Sequence, residues 1–219
     1  MKVIPPKKTN IKETGAADPL KFYSLPIVRS FYLSRFSDAI RLLGGERIDR
    51  LLEVGCGSGL FLCELAKHCN SLFACDIHSH LDLVTKMLQD ESVSATLVKS
   101  SEHSLPYTAE SMDAIVCMSV LEHLSCLESS AEEFFRVLKS GGFAVIGVPV
   151  KNLMTDTMLR ISYLSLDARL EDEHISTHNE VIDTFSKAFL IEKIYSIPRF
   201  LPGQLRMYKS IRFRKLGKK

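Results

Sequence analysis

The apolar positions of this chain change their period along its length, and the changes divide it into elements. Leu51, Leu52 and Val54 form a short apolar run with strand character, whereas Leu60, Phe61, Leu65 and Ala66 recur at helical spacing. From Asp49 onward the two patterns alternate. Strands are predicted near Arg50–Val54, Leu72–Cys75, Ala95–Val98, Asp113–Met118 and Phe143–Val148, and helices near Gly59–His68, His80–Gln89 and Ser129–Lys139. Such alternation marks a parallel sheet covered on both faces. The third helix carries a capping-box pattern, Ser129 or Ser130 three residues before Glu132 or Glu133, and Gly141-Gly142 stops it.

The flanks read differently. Residues 1–18 are polar, with Pro5-Pro6 and Gly15, and predict a flexible N-terminal arm. From Pro19 to Leu43 aromatic and aliphatic residues recur at helical intervals until Gly44-Gly45, which predicts a helical cover over residues 19–45. Past Pro149 a less regular, Leu- and Met-rich stretch predicts a lid or insert over residues 149–175. Thr177 and Glu180 then cap a helix carrying Val181, Ile182, Phe185 and Phe189. A strand follows at Leu190–Ile197. After the Pro198–Gly203 loop, Leu205, Met207, Ile211 and Phe213 alternate with Arg206, Tyr208, Ser210 and Arg212, which predicts a half-buried last strand with a basic outer face. The layout is thus an arm over 1–18 and one domain over 19–219, with its core at 49–148 and a helix and strand hairpin at 176–219.

Composition narrows the class. The apolar share of 46% and charged share of 25% are ordinary for a globular chain. No apolar run approaches the roughly 18 residues that would span a bilayer, and the start of the chain lacks a signal-peptide core, so a cytoplasmic protein is expected. The six cysteines include no Cys-x-x-Cys pair and read as buried thiols. Charge is uneven: of 28 basic residues eight follow Pro198, where no acid occurs, which leaves 20 bases against all 26 acids in residues 1–198. A basic end suits an anionic membrane surface or a nucleic acid, and equally a solvated terminus.

The chemistry gathers at Glu53-Val54-Gly55-Cys56-Gly57-Ser58-Gly59, where a strand meets a helix through alternate glycines. Glycine there allows unusual φ values and close approach of a ligand to the backbone. The dinucleotide fingerprint would need its third glycine at position 60, which is Leu60, and a P-loop would need a Gly-Lys-Ser/Thr run, which is absent. Asp76 ends the next apolar run, 17 residues past Gly59, where such folds place a carboxylate for ribose hydroxyls.

Glu53, Gly55, Gly57 and Gly59 resemble motif I of the class I S-adenosylmethionine (SAM) dependent methyltransferases. Arg136-Val137-Leu138-Lys139-Ser140-Gly141-Gly142, Ser101-Glu102-His103-Ser104-Leu105-Pro106-Tyr107 and Val120-Leu121-Glu122-His123 resemble stretches of its type 11 branch, the ubiquinone- and menaquinone-biosynthesis-like enzymes. The resemblance implies a Rossmann-like α/β fold: a mostly parallel seven-stranded sheet with the last strand antiparallel and helices on both faces. It implies SAM as methyl donor, S-adenosylhomocysteine (SAH) as product, and no metal. It places Glu53 near the methionine amino group, the backbone of Gly55, Cys56, Gly57 and Gly59 under the cofactor, Asp76 on the ribose and Ile77 on the adenine. Ser101 or Glu102 would meet the adenine amino group, Met118 and Ser119 would flank the cofactor, and His123 would lie near the transferring methyl.

His123 has the right ordinary pKa, about 6.5, for a general base, and alternatively fixes a helix start. Tyr23, Arg29, Tyr32 and His174 are candidates for the acceptor pocket, with ordinary packing and lid contacts as the alternative. His174 and His178 stand four apart, but Ile175 occupies the position where a zinc-protease helix needs Glu. The expected partner is a small-molecule acceptor, with a lipid- or glycan-linked one suggested by the apolar flanks. Without an Asn-Pro-Pro-Tyr or Asp-Pro-Pro-Tyr run a nucleic-acid base is less favoured. The rivals are a non-catalytic SAM-binding or scaffold protein and an RNA-directed methyltransferase that uses the basic end.

Overall fold

β1 (Ile48–Val54) buries Leu51 and Leu52 on opposite faces, so it needs cover above and below. Our computed structural model, which describes residues 3–14, 20, 26–155, 157 and 175–217, supplies that cover. β1 pairs in parallel with β2 (Cys69–Asp76) and β4 (Met112–Met118), β2 with β3 (Thr96–Lys99), and β4 with β5 (Leu138–Pro149). β7 (Tyr208–Arg214) runs antiparallel between β5 and β6 (Leu190–Ile197). The order is β3-β2-β1-β4-β5-β7-β6, the mixed seven-stranded sheet expected.

Two apolar layers enclose this sheet. On one face α1 (Pro26–Leu43), the short α2 (Leu62–Leu65) and α3 (Leu81–Asp90) bring Phe36, Ile40, Phe61, Leu65, Val84 and Met87 to Leu51, Val116 and Val145. On the other, α4 (Leu127–Val137) and α5 (His178–Ser186) bring Phe134 and Phe185 to Leu52, Ile115, Ile146 and Phe213. Five of the six cysteines are buried in these layers, and Cys126 is exposed; all six are free thiols.

Several expectations are corrected. The helix predicted over Gly59–His68 is an α-turn at Leu62–Leu65 followed by a 3₁₀ turn at Ala66–His68, because Gly59 at φ 78° and the turn after it delay its start. The capping box at Ser129 does not form. α4 starts earlier, with Cys126 as an N-cap that offers no side-chain hydrogen bond, and Ser129 and Ser130 turn to His103 instead. At Thr177 both halves of the box are present.

The last strand is not half-buried. It lies inside the sheet, α1 covers its second face, and Tyr208 and Ser210 are as buried as Ile211 and Phe213. Two of its cations, Arg212 and Arg214, pair with Glu192, and just past it buried Lys215 donates to the carbonyls of Phe135 and Leu138. Residues 3–14 are not detached either. Val3 and Ile11 join the first apolar layer, and Glu91 accepts from Lys7 N and Asn10 Nδ2, both at 2.8 Å. Of the predicted lid, residues 149–155, 157 and 175 are described; Pro149 still belongs to β5, and a helical turn opens at Leu153.

Candidate active site

The strand order reverses at β1, whose neighbours lead away in opposite directions, and the ends of β1, β2 and β4 are where an open sheet of this kind forms its crevice. The glycine turn lies across it. Gly55 N–H and Cys56 N–H both donate to the Cys75 carbonyl, at 2.9 and 3.2 Å, which ties the turn to the end of β2. Gly55 has φ 76°, and a Cβ there would stand 2.1 Å from Val120 Cγ2. At Gly57 a Cβ would meet nothing within 4 Å, so this glycine faces open space. The two positions are glycine for different reasons, one for packing and one facing the crevice.

Glu53, one residue before the end of β1, has 3% of its surface exposed, and among the described residues its Oε2 has no hydrogen-bond partner. Burial pushes its carboxyl well above the usual carboxylate range, and the Asp76 charge adds to the push. A buried acceptor left unmade is costly, and a bound ammonium would satisfy it. Asp76 Oδ2 accepts from Gly57 N at 2.7 Å and Oδ1 from His78 N at 3.2 Å, while His78 Nε2 lies 3.0 Å from the Gly57 carbonyl. The carboxylate is thereby fixed with acceptor capacity to spare for a diol. Ile77, next in sequence, is 66% exposed and offers a bare apolar surface. An ammonium, a ribose and an adenine are the groups these residues fit.

Glu102 is buried in the loop after β3, with Oε1 3.0 Å from His103 Nε2; Ser101 beside it is half-buried. Met118 is buried at the end of β4. Ser119 follows at φ 60°, a conformation non-glycine residues rarely adopt and one that recurs at functional sites. Its N–H donates to the Gly147 carbonyl at 2.8 Å, and its Oγ receives Arg35 Nη1 at 2.8 Å and meets Tyr208 OH at 2.9 Å. The Arg35 guanidinium is stacked 4.0 Å over Tyr32 and 4.9 Å from the Tyr208 ring. Burial pushes the Tyr208 phenol up, so its hydroxyl keeps its proton.

Tyr32, Ser119 and the cofactor-side residues therefore converge, whereas Arg29 is exposed on α1 and does not join them. Tyr23 and His174 lie outside the described residues. His123 closes a 3₁₀ turn (Leu121–His123), half-buried, beside the Glu122 carbonyl that accepts from Ile175 N and Ser176 N. Sequence reasoning missed Arg35 and Tyr208. The available signal was a charge inside the apolar stripe of α1, three residues after Tyr32.

A depression of about 430 Å³ at the opposite ends of the strands is lined by Arg47, Lys139, Arg212 and Arg214, and it stands apart from the crevice. Lys139 there pairs with Asp113 at 2.7 Å. Among the described residues no group of His, Cys, Asp or Glu could hold a metal ion, and no helix is long and apolar enough to cross a membrane.

A type 11 methyltransferase domain model matches residues 52–146, from the middle of β1 through β4 into β5. The crevice lies within that match. Over residues 52–146 the chain thus matches the methyltransferase domain of the type 11 family. The domain is similar to the tRNA (carboxymethyluridine(34)-5-O)-methyltransferase of Arabidopsis thaliana, 33% identical over 57% of this chain and 30% of that protein. It is also similar to the ubiquinone biosynthesis O-methyltransferase of Rickettsia conorii, 26% identical over 44% of this chain and 33% of that one. The chain thus spans about a third of the length of these relatives. In fold the chain resembles the N-methyltransferase NodS of Bradyrhizobium japonicum WM9 in complex with SAH, with TM-score 0.68, 22% identity, and coverage of 93% of this chain and 94% of that one. The [4+2]-cyclase SpnF shares the fold at TM-score 0.66 and 15% identity, over 85% of this chain and 82% of that one.

Proposed function

We propose that the chain transfers the methyl group of SAM to a small-molecule nucleophile. The observation that carries this reading is the buried, unpartnered Glu53 Oε2 beside the open face of Gly57 and the fixed Asp76 carboxylate. Glu53 would take the methionine ammonium, Asp76 the ribose hydroxyls, Ile77 the adenine face and Glu102 the adenine amino group. The turn over Gly55, Cys56, Gly57 and Gly59 would lie beneath, with Met118 and Ser119 at the cofactor's flank. The Arg35 guanidinium, held over Tyr32 and Tyr208, is suited to a carboxylate. When bound, SAM supplies a methyl group already activated by its sulfonium, so the protein's work is to align donor and acceptor and keep water out. His123 would receive the proton that a hydroxyl or amine acceptor loses as its new bond to carbon forms.

Calorimetric titration with SAM and SAH, followed by transfer of labelled methyl from SAM to candidate acceptors, tests the reading. Micromolar binding of both supports it; a folded protein that binds neither overturns it and leaves a scaffold. For the acceptor, the Arabidopsis relative's name brings tRNA to the table, but here Arg212, Arg214 and Lys215 are engaged within the fold. Salt-sensitive tRNA binding with methyl incorporation would displace the small-molecule reading.

A second reading concerns where a lipid-linked acceptor would be met. Phe200 and Leu153 are 85% and 83% exposed, on two loops joined by Asn152 Nδ2 to the Gln204 and Arg206 carbonyls, at 3.3 and 2.8 Å. Lys151, Arg199 and Arg206 flank them at the crevice edge of the sheet, a pattern suited to an anionic lipid surface. Sedimentation with phosphatidylglycerol vesicles, lost in Phe200→Ser, tests it; equal sedimentation of both proteins overturns it.

A further inference from the structure

His103 has no role assigned from the sequence, yet it is tied to a candidate site residue. Its Nε2 stands 3.0 Å from Glu102 Oε1, and its Nδ1 stands 2.9 Å from Ser129 Oγ and 3.0 Å from Ser130 Oγ. An ionised carboxylate only accepts, so the Nε2 nitrogen facing it must carry a proton, in the neutral or the charged ring alike. A hydroxyl at Nδ1 can serve either ring form. The ring is therefore clamped at both ends, between Glu102 and the first turn of α4. Glu102 Oε2 takes no hydrogen bond from the described residues, and it is not among their buried unpartnered atoms. The loop does not depend on this clamp for its position. Glu133 accepts from Leu105 N at 2.7 Å, and Arg136 donates to the carbonyls of Tyr107 and Leu105 at 2.8 and 3.0 Å. Two residues before Glu102, Ser100 N donates to the Asp76 carbonyl at 3.0 Å, which brings this loop to the end of β2 beside the glycine turn.

We infer that His103 is a positioning residue for base recognition: it holds one oxygen of Glu102 so that the other faces the 6-position of the bound purine and reads its amino group. The inference rests on the proposed assignment of Glu102, rather than Ser101, to the adenine. Two consequences follow from the geometry. A carboxylate accepts from a 6-amino group and repels a 6-oxo group, so the site prefers adenosyl to inosyl ligands. In Glu102→Gln, His103 keeps the amide oxygen and leaves the amide nitrogen facing the base, so the preference reverses.

Calorimetric titration with SAH and with S-inosylhomocysteine, which differ at that position, separates the outcomes. The wild-type protein should bind SAH at least about 10-fold more tightly, and His103→Ala should weaken SAH about 5-fold while leaving S-inosylhomocysteine unchanged. His103→Gln keeps a donor near Nε2 and should restore most of the loss. Glu102→Gln should favour S-inosylhomocysteine, and adding His103→Ala should remove that reversal by freeing the amide to turn. An equal loss for both ligands in His103→Ala, or no loss for either, overturns the positioning role. A wild-type protein that binds SAH without discriminating, or an unchanged preference in Glu102→Gln, overturns the Glu102 assignment itself, and the two failures are thus distinct.

Discussion

Asp76 is aimed by backbone N–H groups within two residues of it and across one glycine turn, whereas Tyr32, Arg35, Ser119 and Tyr208 hold one another side chain to side chain across the fold. The first set is the one proposed to hold the donor, and the second runs from the cofactor's flank at Ser119 across to α1 and β7. A donor of fixed structure can be held by short-range backbone geometry that the chain carries as a compact motif. A side-chain set assembled from α1, the residue after β4, and β7 can change one member at a time without touching that motif. The glycine turn sits at the seam, since Gly55 packs on Val120, which leads from β4 toward His123.

The largest break is expected at that seam. Gly55→Ala adds a Cβ 2.1 Å from Val120 at φ 76° and should cost about 3 kcal/mol or more, read as a lower denaturation midpoint. Asp76→Ala should then separate the halves: SAH affinity falls about 100-fold by calorimetry, with the circular dichroism of the fold kept. An unchanged affinity would mean the ribose is held elsewhere.

Glu53→Gln should weaken SAH about 10-fold and also remove a pH dependence. Because burial raises the Glu53 pKa, the carboxylate that pairs with an ammonium is lost on acidification, so wild-type SAH affinity should fall as pH drops through that raised value. For folding the sign is opposite. A raised folded-state pKa contributes stability below the ordinary carboxylate range and loses it as pH rises through the folded value. The neutral amide should therefore raise the melting temperature of the free protein at neutral pH and above. The smallest effect is expected at Tyr208→Phe, which removes a hydroxyl from Ser119: turnover should drop about 3-fold while SAH affinity stays within about 2-fold.

The same contrast explains what could be read in advance. The turn at Gly55 to Gly59 and Asp76 were legible because their chemistry is carried by spacing along a short stretch. The sheet was legible because the pattern changes period at each element. Arg35 was not, since an apolar stripe on α1 reads as packing and does not say which residue crosses to β4. Ser129 was misread as a cap because its hydroxyl had a competing partner, His103, 26 residues away. Tyr208 was put on the strand's exposed side because α1 lies over that face, a fact of tertiary arrangement that alternation cannot carry.

β7 comes last in sequence among the described strands yet sits inside the sheet, between β5 and β6. During translation β1 to β5 can pair as they emerge, while the outer edge of β5 stays open until residues 208–214 have cleared the ribosome. A nascent chain can thus own its donor crevice before Tyr208 arrives to floor the other half. One interrupted ahead of Tyr208 would expose a hydrophobic strand edge to chaperones and proteases rather than act as a slower enzyme.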